Sequence, residues 1–211
     1  FIDRSRYLSG IKLNLHEALA LYLAARRASR QTRIAQPHVA SALEKLATAL
    51  KQPMTSRLVR AAGQVLEQEA QPDRVKTLEE ITRAWAEQRK LDISYQALHS
   101  DQLRQHRVHP YLIEPSLWSD GVYLIGYHET YQDLYTFKIE RVEQAYARLE
   151  RFELPADFDE ETLLEQAWGI WRRDQAPVTV QLRFFPGEAA RRLKESIWHR
   201  TQEIIDLSDG G

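Results

Sequence analysis

An α+β fold is predicted by three changes of pattern along the 211 residues. Apolar positions recur at helical spacing through roughly the first 90 residues, alternate with a period of two from Leu91 to about Phe152, and return after Pro177 as a strand–helix–strand pattern. The architecture expected is an N-terminal helical region, a central small β-barrel of the SH3 or Sm type, and the start of a C-terminal α/β extension. The boundaries read as 1–88 for a helical linker or dimerisation region, 89–153 for the barrel, 154–176 for a helical linker and 177–211 for the partial extension.

The first helix is announced by Asn14-Leu15-His16-Glu17, a side-chain acceptor followed three residues later by a glutamate that can return to it. Leu15, Leu19, Tyr22 and Leu23 then repeat at helical spacing. Pro37 suits the first turn of a second helix with Val39, Leu43, Leu46, Ala47 and Leu50 on one stripe. Pro53 and Pro72 mark the next boundaries. They leave a third helix over about Thr55–Glu69 and a fourth over about Asp73–Glu87 with Val75, Leu78, Ile81 and Trp85 inward. From Leu91 the spacing predicts five short strands: Leu91–Ala97, Arg104–Glu114, Val122–Tyr127, Leu134–Val142 and Ala145–Phe152. Turns near Ser100-Asp101, Ser119-Asp120-Gly121 and Gln132-Asp133 join them. The third strand alternates weakly, because Tyr123, Leu124 and Ile125 are all apolar; cover on both faces would explain it. Asp159 can cap a helix carrying Leu163, Leu164, Ala167, Trp168 and Trp171. Val178–Phe185 and Gln202–Leu207 read as strands around a helix at Pro186–Glu195.

Composition bounds the function. No cysteine is present, which excludes disulfides, thiolate nucleophiles and cysteine-ligated metals. No apolar run approaches the roughly 18 residues a membrane helix needs, and a cytoplasmic location is expected. Phe1 and the closing Asp209-Gly210-Gly211 suggest that the natural chain extends beyond both ends. The net charge of −1 hides an asymmetry: residues 1–85 carry 14 Lys and Arg against 8 Asp and Glu, while 86–150 carry 7 against 10 and 151–211 carry 8 against 12. Arg26, Arg27, Arg30 and Arg33 are the densest basic cluster. They complement the dipole at a helix end, or they contact a nucleic-acid backbone.

Catalytic constellations are lacking. There is no GxSxG, no phosphate-cradling glycine loop and no dinucleotide fingerprint, so neither an enzyme nor a cofactor site is expected. Four of the seven histidines, His99, His106, His109 and His128, fall within one short stretch. His106 and His109 would point to opposite faces of a strand, and no metal-ligand spacing supports them, so no metal site is assigned. Arg107, His109 and Tyr111 share one face of the second strand, the fourth strand adds Lys138 and Arg141, and neighbouring strands offer Tyr95 and Tyr123. Cations and aromatics so placed can hold a phosphate and stack a base; the alternative is that the tyrosines are core and the charges solvated. Strict alternation sets Lys138 and Arg141 on opposite faces unless a bulge near Glu140 re-aims the strand.

Arg107–Glu114 (RVHPYLIE), Val122-Tyr123-Leu124 and Tyr135–Val142 (YTFKIERV) together resemble the WYL domain of bacterial transcriptional regulators. The helix Leu15–Arg27 resembles the segment that follows the winged helix in these proteins. Val178–Phe185, Trp198-His199, Gln202 and Asp209-Gly210 resemble the start of the family's C-terminal extension. Two positions depart from the pattern: Val122 stands where the family has its tryptophan, and Tyr135 where it has an arginine. The resemblance implies a homodimeric regulator whose winged helix–turn–helix, absent from this chain, binds operator DNA. Its barrel would sense a nucleotide or single-stranded nucleic acid through Tyr95, Arg107, His109, Tyr123, Tyr135, Lys138 and Arg141. A nucleic-acid-binding accessory module of an RNA-handling or phage-defence system is the alternative.

Overall fold

The computed structural model describes residues 13–31, 37–50, 54–66, 71–116, 121–165, 167–170, 176 and 178–209. Helix α1 (Leu15–Gln31) opens on the expected cap. The Asn14 side-chain oxygen accepts the backbone N–H groups of His16 and Glu17 at 2.9 and 3.0 Å, and the Glu17 carboxylate accepts the Asn14 N–H at 2.6 Å. Helices α2 (Pro37–Ala49) and α3 (Met54–Leu66) pack on each other around Leu43, Leu58 and Val65, with alanines 40, 47, 61 and 62 letting the helices approach closely. Tyr22 and Ala25 of α1 pack against this cluster, whereas Leu15, Leu19 and Leu23 stay exposed. The stripe expected to be inward is therefore displaced around the helix.

Helix α4 (Pro72–Ala86) belongs to the sheet. It contacts strands β1 (Arg89–Gln96), β2 (Leu103–Pro115) and β5 (Val142–Arg151). Ile81 and Ala84, both at 0% exposure, enter a core of Leu91, Ile93, Val108, Leu124, Phe137 and Val142. Val75 and Leu78 are only half-buried and Trp85 is exposed on its flank, its indole N–H donating to the Tyr111 carbonyl at 3.1 Å. The same helix covers the edge of β5. The Arg74 guanidinium donates to the Val142 carbonyl at 2.7 Å, and the Ala147 N–H donates to the Glu80 carboxylate at 2.9 Å. Ladder groups that would otherwise be left open at a sheet edge are satisfied in this way.

The strands, completed by β3 (Val122–His128) and β4 (Asp133–Lys138), form one antiparallel sheet in the order β4-β3-β2-β1-β5. The fold is α+β as expected, but the sheet is open, and the barrel expectation is corrected. β4 and β5 are its two edges, with no ladder between them among the described residues. Instead of running on to Val142, β4 ends in a 3-10 turn at Ile139–Arg141 that delivers the chain to the far edge beside β1. Helix α4 lies on the face that a closed barrel would enclose. The weak alternation of β3 has the anticipated cause: Tyr123, Leu124 and Ile125 are all buried.

The last third departs further. Asp159 caps α5 (Glu160–Leu164), accepting the Thr162 N–H at 2.8 Å, but the helix stops before Ala167 and Trp168, and Trp171 lies outside the described residues. Helix α6 (Glu188–Lys194) forms, whereas 178–185 and 202–207 have no strand partner among the described residues. Val178, Val180, Leu182 and Phe185 remain exposed. A strand is defined by its neighbour's hydrogen bonds, and alternation alone cannot supply one.

Gly126 sits opposite Pro110, next to a register shift between Pro110 and Leu112. A Cβ on Gly126 would lie 2.5 Å from the His109 carbonyl oxygen, which is backbone and cannot rotate away. We expect Gly126→Ala to destabilise the sheet by about 1–3 kcal/mol, the usual range for overpacking. A fall in the urea midpoint at unchanged slope would register it; an unchanged midpoint would show that β2 and β3 separate freely there.

Candidate functional site

The antiparallel register assigns side chains to faces. Leu91, Ile93 and Tyr95 of β1 lie opposite Val108, His106 and Arg104 of β2, on the face that α4 covers. Continuous with that core through Phe137, this face ends in six adjoining rings. Tyr95 meets Phe137 edge-on with centroids 5.1 Å apart, and Phe137 meets His106 at 5.3 Å. His106 meets His128 edge-on at 5.2 Å, and His128 meets Tyr131 and Tyr135 at 4.4 and 5.2 Å. Tyr131 and Tyr135 are 5.2 Å apart and inclined by 30°. They are 54% and 38% exposed, while Phe137 and His128 beneath them are 3% and 2% exposed. The result is a supported aromatic surface open to solvent.

Burial depresses both imidazoles. His106 is held below the usual histidine range by desolvation, then by His128 and by the positive charge of Arg104. His128 is lowered by desolvation, partly offset by its own backbone carbonyl and by Glu129. Both rings are therefore neutral at physiological pH. Arg104 is exposed, lies opposite Tyr95, and enters none of the ion pairs among the described residues; Lys138 and Arg141, both half-buried, enter none of them either.

The opposite face is charged, and its charges are matched. Arg107 donates twice to Asp92, at 2.7 and 3.2 Å, and Arg148 lies 3.5 Å from the same carboxylate. Glu129 accepts from Lys90 and is 3.0 Å from His109 Nε2; the two partners hold its carboxyl below the usual range. His109 stacks on Phe152 at 5.0 Å, and Tyr111 stacks on Phe152 at 5.7 Å. An anion arriving here has to displace Asp92 or Glu129.

The seven residues expected to sense a ligand are thus divided. Tyr95 and Tyr135 belong to the ring cluster; Arg107 and His109 belong to the charged face. Tyr123 and Lys138 are cross-strand partners, on the side away from Leu124 and Phe137, with Tyr123 6% exposed. The 3-10 turn, rather than a bulge, breaks the alternation between Lys138 and Arg141. It sets Arg141 just before Val142, the residue opposite Tyr95. Arg104, His106, His128 and Tyr131 were not singled out from the sequence as ligand contacts. The alternation Arg104, His106, Val108 opposite Tyr95 carries the signal for the first two, whereas Tyr131 lies in a turn and has no such pattern. Of the basic cluster on α1, Arg26 is half-buried with its guanidinium 3.4 Å from the Tyr22 hydroxyl, and Arg27 is exposed. The Arg30 side chain and Arg33 lie outside the described residues.

Among solved structures, the chain is similar to proteasome accessory factor B/C (PafBC) of Arthrobacter aurescens, at 20% identity over 55% of this chain and 20% of that one, with a TM-score of 0.34. The chain thus corresponds to about a fifth of that structure's length. No curated protein matches it. At the level of families, residues 76–147 match the WYL domain, a stretch that takes in most of α4, all of β1 to β4 and more than half of β5.

Proposed function

We propose that this chain is the effector-sensing part of a transcriptional regulator, and that its WYL domain binds a nucleotide or single-stranded nucleic acid on the surface made by Tyr131 and Tyr135. The observation that carries the reading is the pair of exposed rings on a buried aromatic base, with Arg104 and Arg141 outside the ion pairs of the described residues, while Lys138 lies on the other face of the sheet. A base stacks on such rings whatever its sequence, and cations nearby meet its phosphate. The WYL match supports a regulatory role. In this reading the ligand acts by binding one arrangement of a homodimer more tightly than another. The exposed Leu15, Leu19 and Leu23 of α1 offer an apolar stripe for dimer contact, and a winged helix–turn–helix outside this chain reads the operator.

The test is fluorescence anisotropy of the chain against short single-stranded DNA and RNA and against labelled nucleotides, across a salt series. Binding is expected to weaken as salt rises, with a slope that falls by about one for each of Arg104→Ala and Arg141→Ala that removes a phosphate contact, while Lys138→Ala, on the other face, leaves the slope unchanged. Binding that survives both arginine substitutions unchanged would move the contact to Arg26 and Arg27 of α1 and overturn the site.

A further inference from the structure

His106 Nδ1 and His128 Nε2 are 2.9 Å apart, and the structure settles which ring donates. His128 Nδ1 accepts the backbone N–H groups of Thr130 and Tyr131 at 3.2 and 3.4 Å. That nitrogen therefore carries no proton, and a neutral imidazole must then carry its proton on Nε2. His128 Nε2–H consequently donates to His106 Nδ1, and His106 keeps its own proton on Nε2. Two backbone amides thus fix the tautomer of one ring, and that ring fixes the tautomer of the next.

A further proton fits poorly in this arrangement. On His106 Nδ1 it would face the His128 N–H; on His128 Nδ1 it would face two amide N–H groups. We infer that the His106–His128 pair is a proton-operated lock on the turn His128–Asp133, closed while both imidazoles are neutral and opened when they are protonated. At its start the turn is also tied through Glu129, whose carboxylate accepts from Lys90 and whose N–H donates to the Arg107 carbonyl at 3.1 Å; the segment Thr130–Gln132 leans on the His128 ring and carbonyl. The Gln132 N–H donates to the His128 carbonyl at 2.8 Å, and Gln132 sits at φ 53, a left-handed conformation unfavourable for a residue with a side chain.

Other charged and titratable groups face the pair from each neighbouring element. They are Tyr95 from β1, Arg104 from β2, Glu129 and Tyr131 from the turn, and Asp133 and Tyr135 from β4, Asp133 being the cross-strand partner of His128. Arg104 opposes protonation and Glu129 favours it, and burial of His128 sides with Arg104. The sign follows. The closed form binds fewer protons than the open form, so the lock is at full strength above the ordinary histidine range and weakens as pH falls through it.

Because His128 supports Tyr131 and Tyr135, opening disperses the stacking surface, and on the functional reading above the ligand is released in acid. The lock itself is tested with no ligand present, so its failure and the failure of that reading are separate results. If the closed pair takes up no proton and the two opened rings titrate near 6.5, the opening constant of the turn rises about 100-fold between pH 7.5 and 5.5; one ring alone gives about 10-fold. Amide exchange at Thr130 and Tyr131, corrected for the intrinsic pH dependence of exchange, reads this constant. The intact chain should show the larger change. His106→Gln, which keeps an acceptor for the His128 N–H and removes one titrating ring, should show the smaller. Nitrogen spectra of the intact chain should place the neutral proton on Nε2 of both rings. Corrected protection that does not change with pH, or an equal slope in His106→Gln, would overturn the lock. Should His106→Gln fail to fold, the slope and tautomers of the intact chain decide alone.

Discussion

Replacing Ile81 by alanine is expected to destabilise the sheet and its helix by about 2–5 kcal/mol, the range for truncating a fully buried aliphatic side chain in a core that cannot collapse. Ile81 is 0% exposed and enters the cluster of Leu91, Ile93, Val108, Leu124 and Val142, which four strands contribute. A sheet whose register shifts on β5 and on β2 has little freedom to close over the space left behind. The loss spreads beyond the cavity, because polar contacts hang on the same helix: Arg74 to the Val142 carbonyl and Glu80 to the Ala147 N–H on the β5 edge, and Trp85 to the Tyr111 carbonyl of β2. Urea unfolding followed by circular dichroism, with exchange protection of β1 and β5 alongside, measures the effect. A loss below about 1 kcal/mol would mean that α4 is held by these edge contacts and not by its apolar face.

The legibility of this fold follows the range of the interactions that make it. The cap at Asn14, the proline starts of α2 and α4, and the five strand positions rest on neighbours in sequence, and the pattern of residues records them. The closure of a sheet does not rest on neighbours. Whether β4 reaches β5 depends on the 3-10 turn at Ile139–Arg141 and on α4 lying over the inner face, and the alternation of Leu134–Val142 reads the same in either case. The C-terminal segments illustrate the same limit: Val178, Val180 and Leu182 alternate as a strand does and have no strand partner among the described residues. At the candidate site, residue types were legible and their grouping was not. Arg107 and His109 have the chemistry of an anion site, but Asp92 and Glu129 on neighbouring elements neutralise them. Tyr131 gains its meaning only from the turn that sets it against Tyr135.

Tyr135 is the sharpest test of what this chain binds, since it stands where the resemblance to WYL domains leads one to expect an arginine. If the site worked only through charge, the tyrosine would be an impairment, and removing its ring would change nothing further. The geometry argues otherwise: the ring leans on His128, lies beside Tyr131 at 5.2 Å, and is backed by Phe137 at 6.4 Å in a stacked orientation. A base seated on that pair loses about 1–3 kcal/mol of stacking when one ring is cut to alanine, or roughly 5–150-fold in affinity. Tyr135→Ala and Tyr131→Ala should each show this loss, with the salt slope unchanged because no phosphate contact is removed. Tyr135→Phe keeps the π-face and should bind as the parent does. Tyr135→Arg restores a cation, and the sign of its effect discriminates between the two modes. Tighter binding with a steeper salt slope would show that the ligand is held chiefly by its phosphate. Weaker binding alongside an unaffected Tyr135→Phe would show that the ring itself is the contact, and that this chain has exchanged an ionic site for a stacking one.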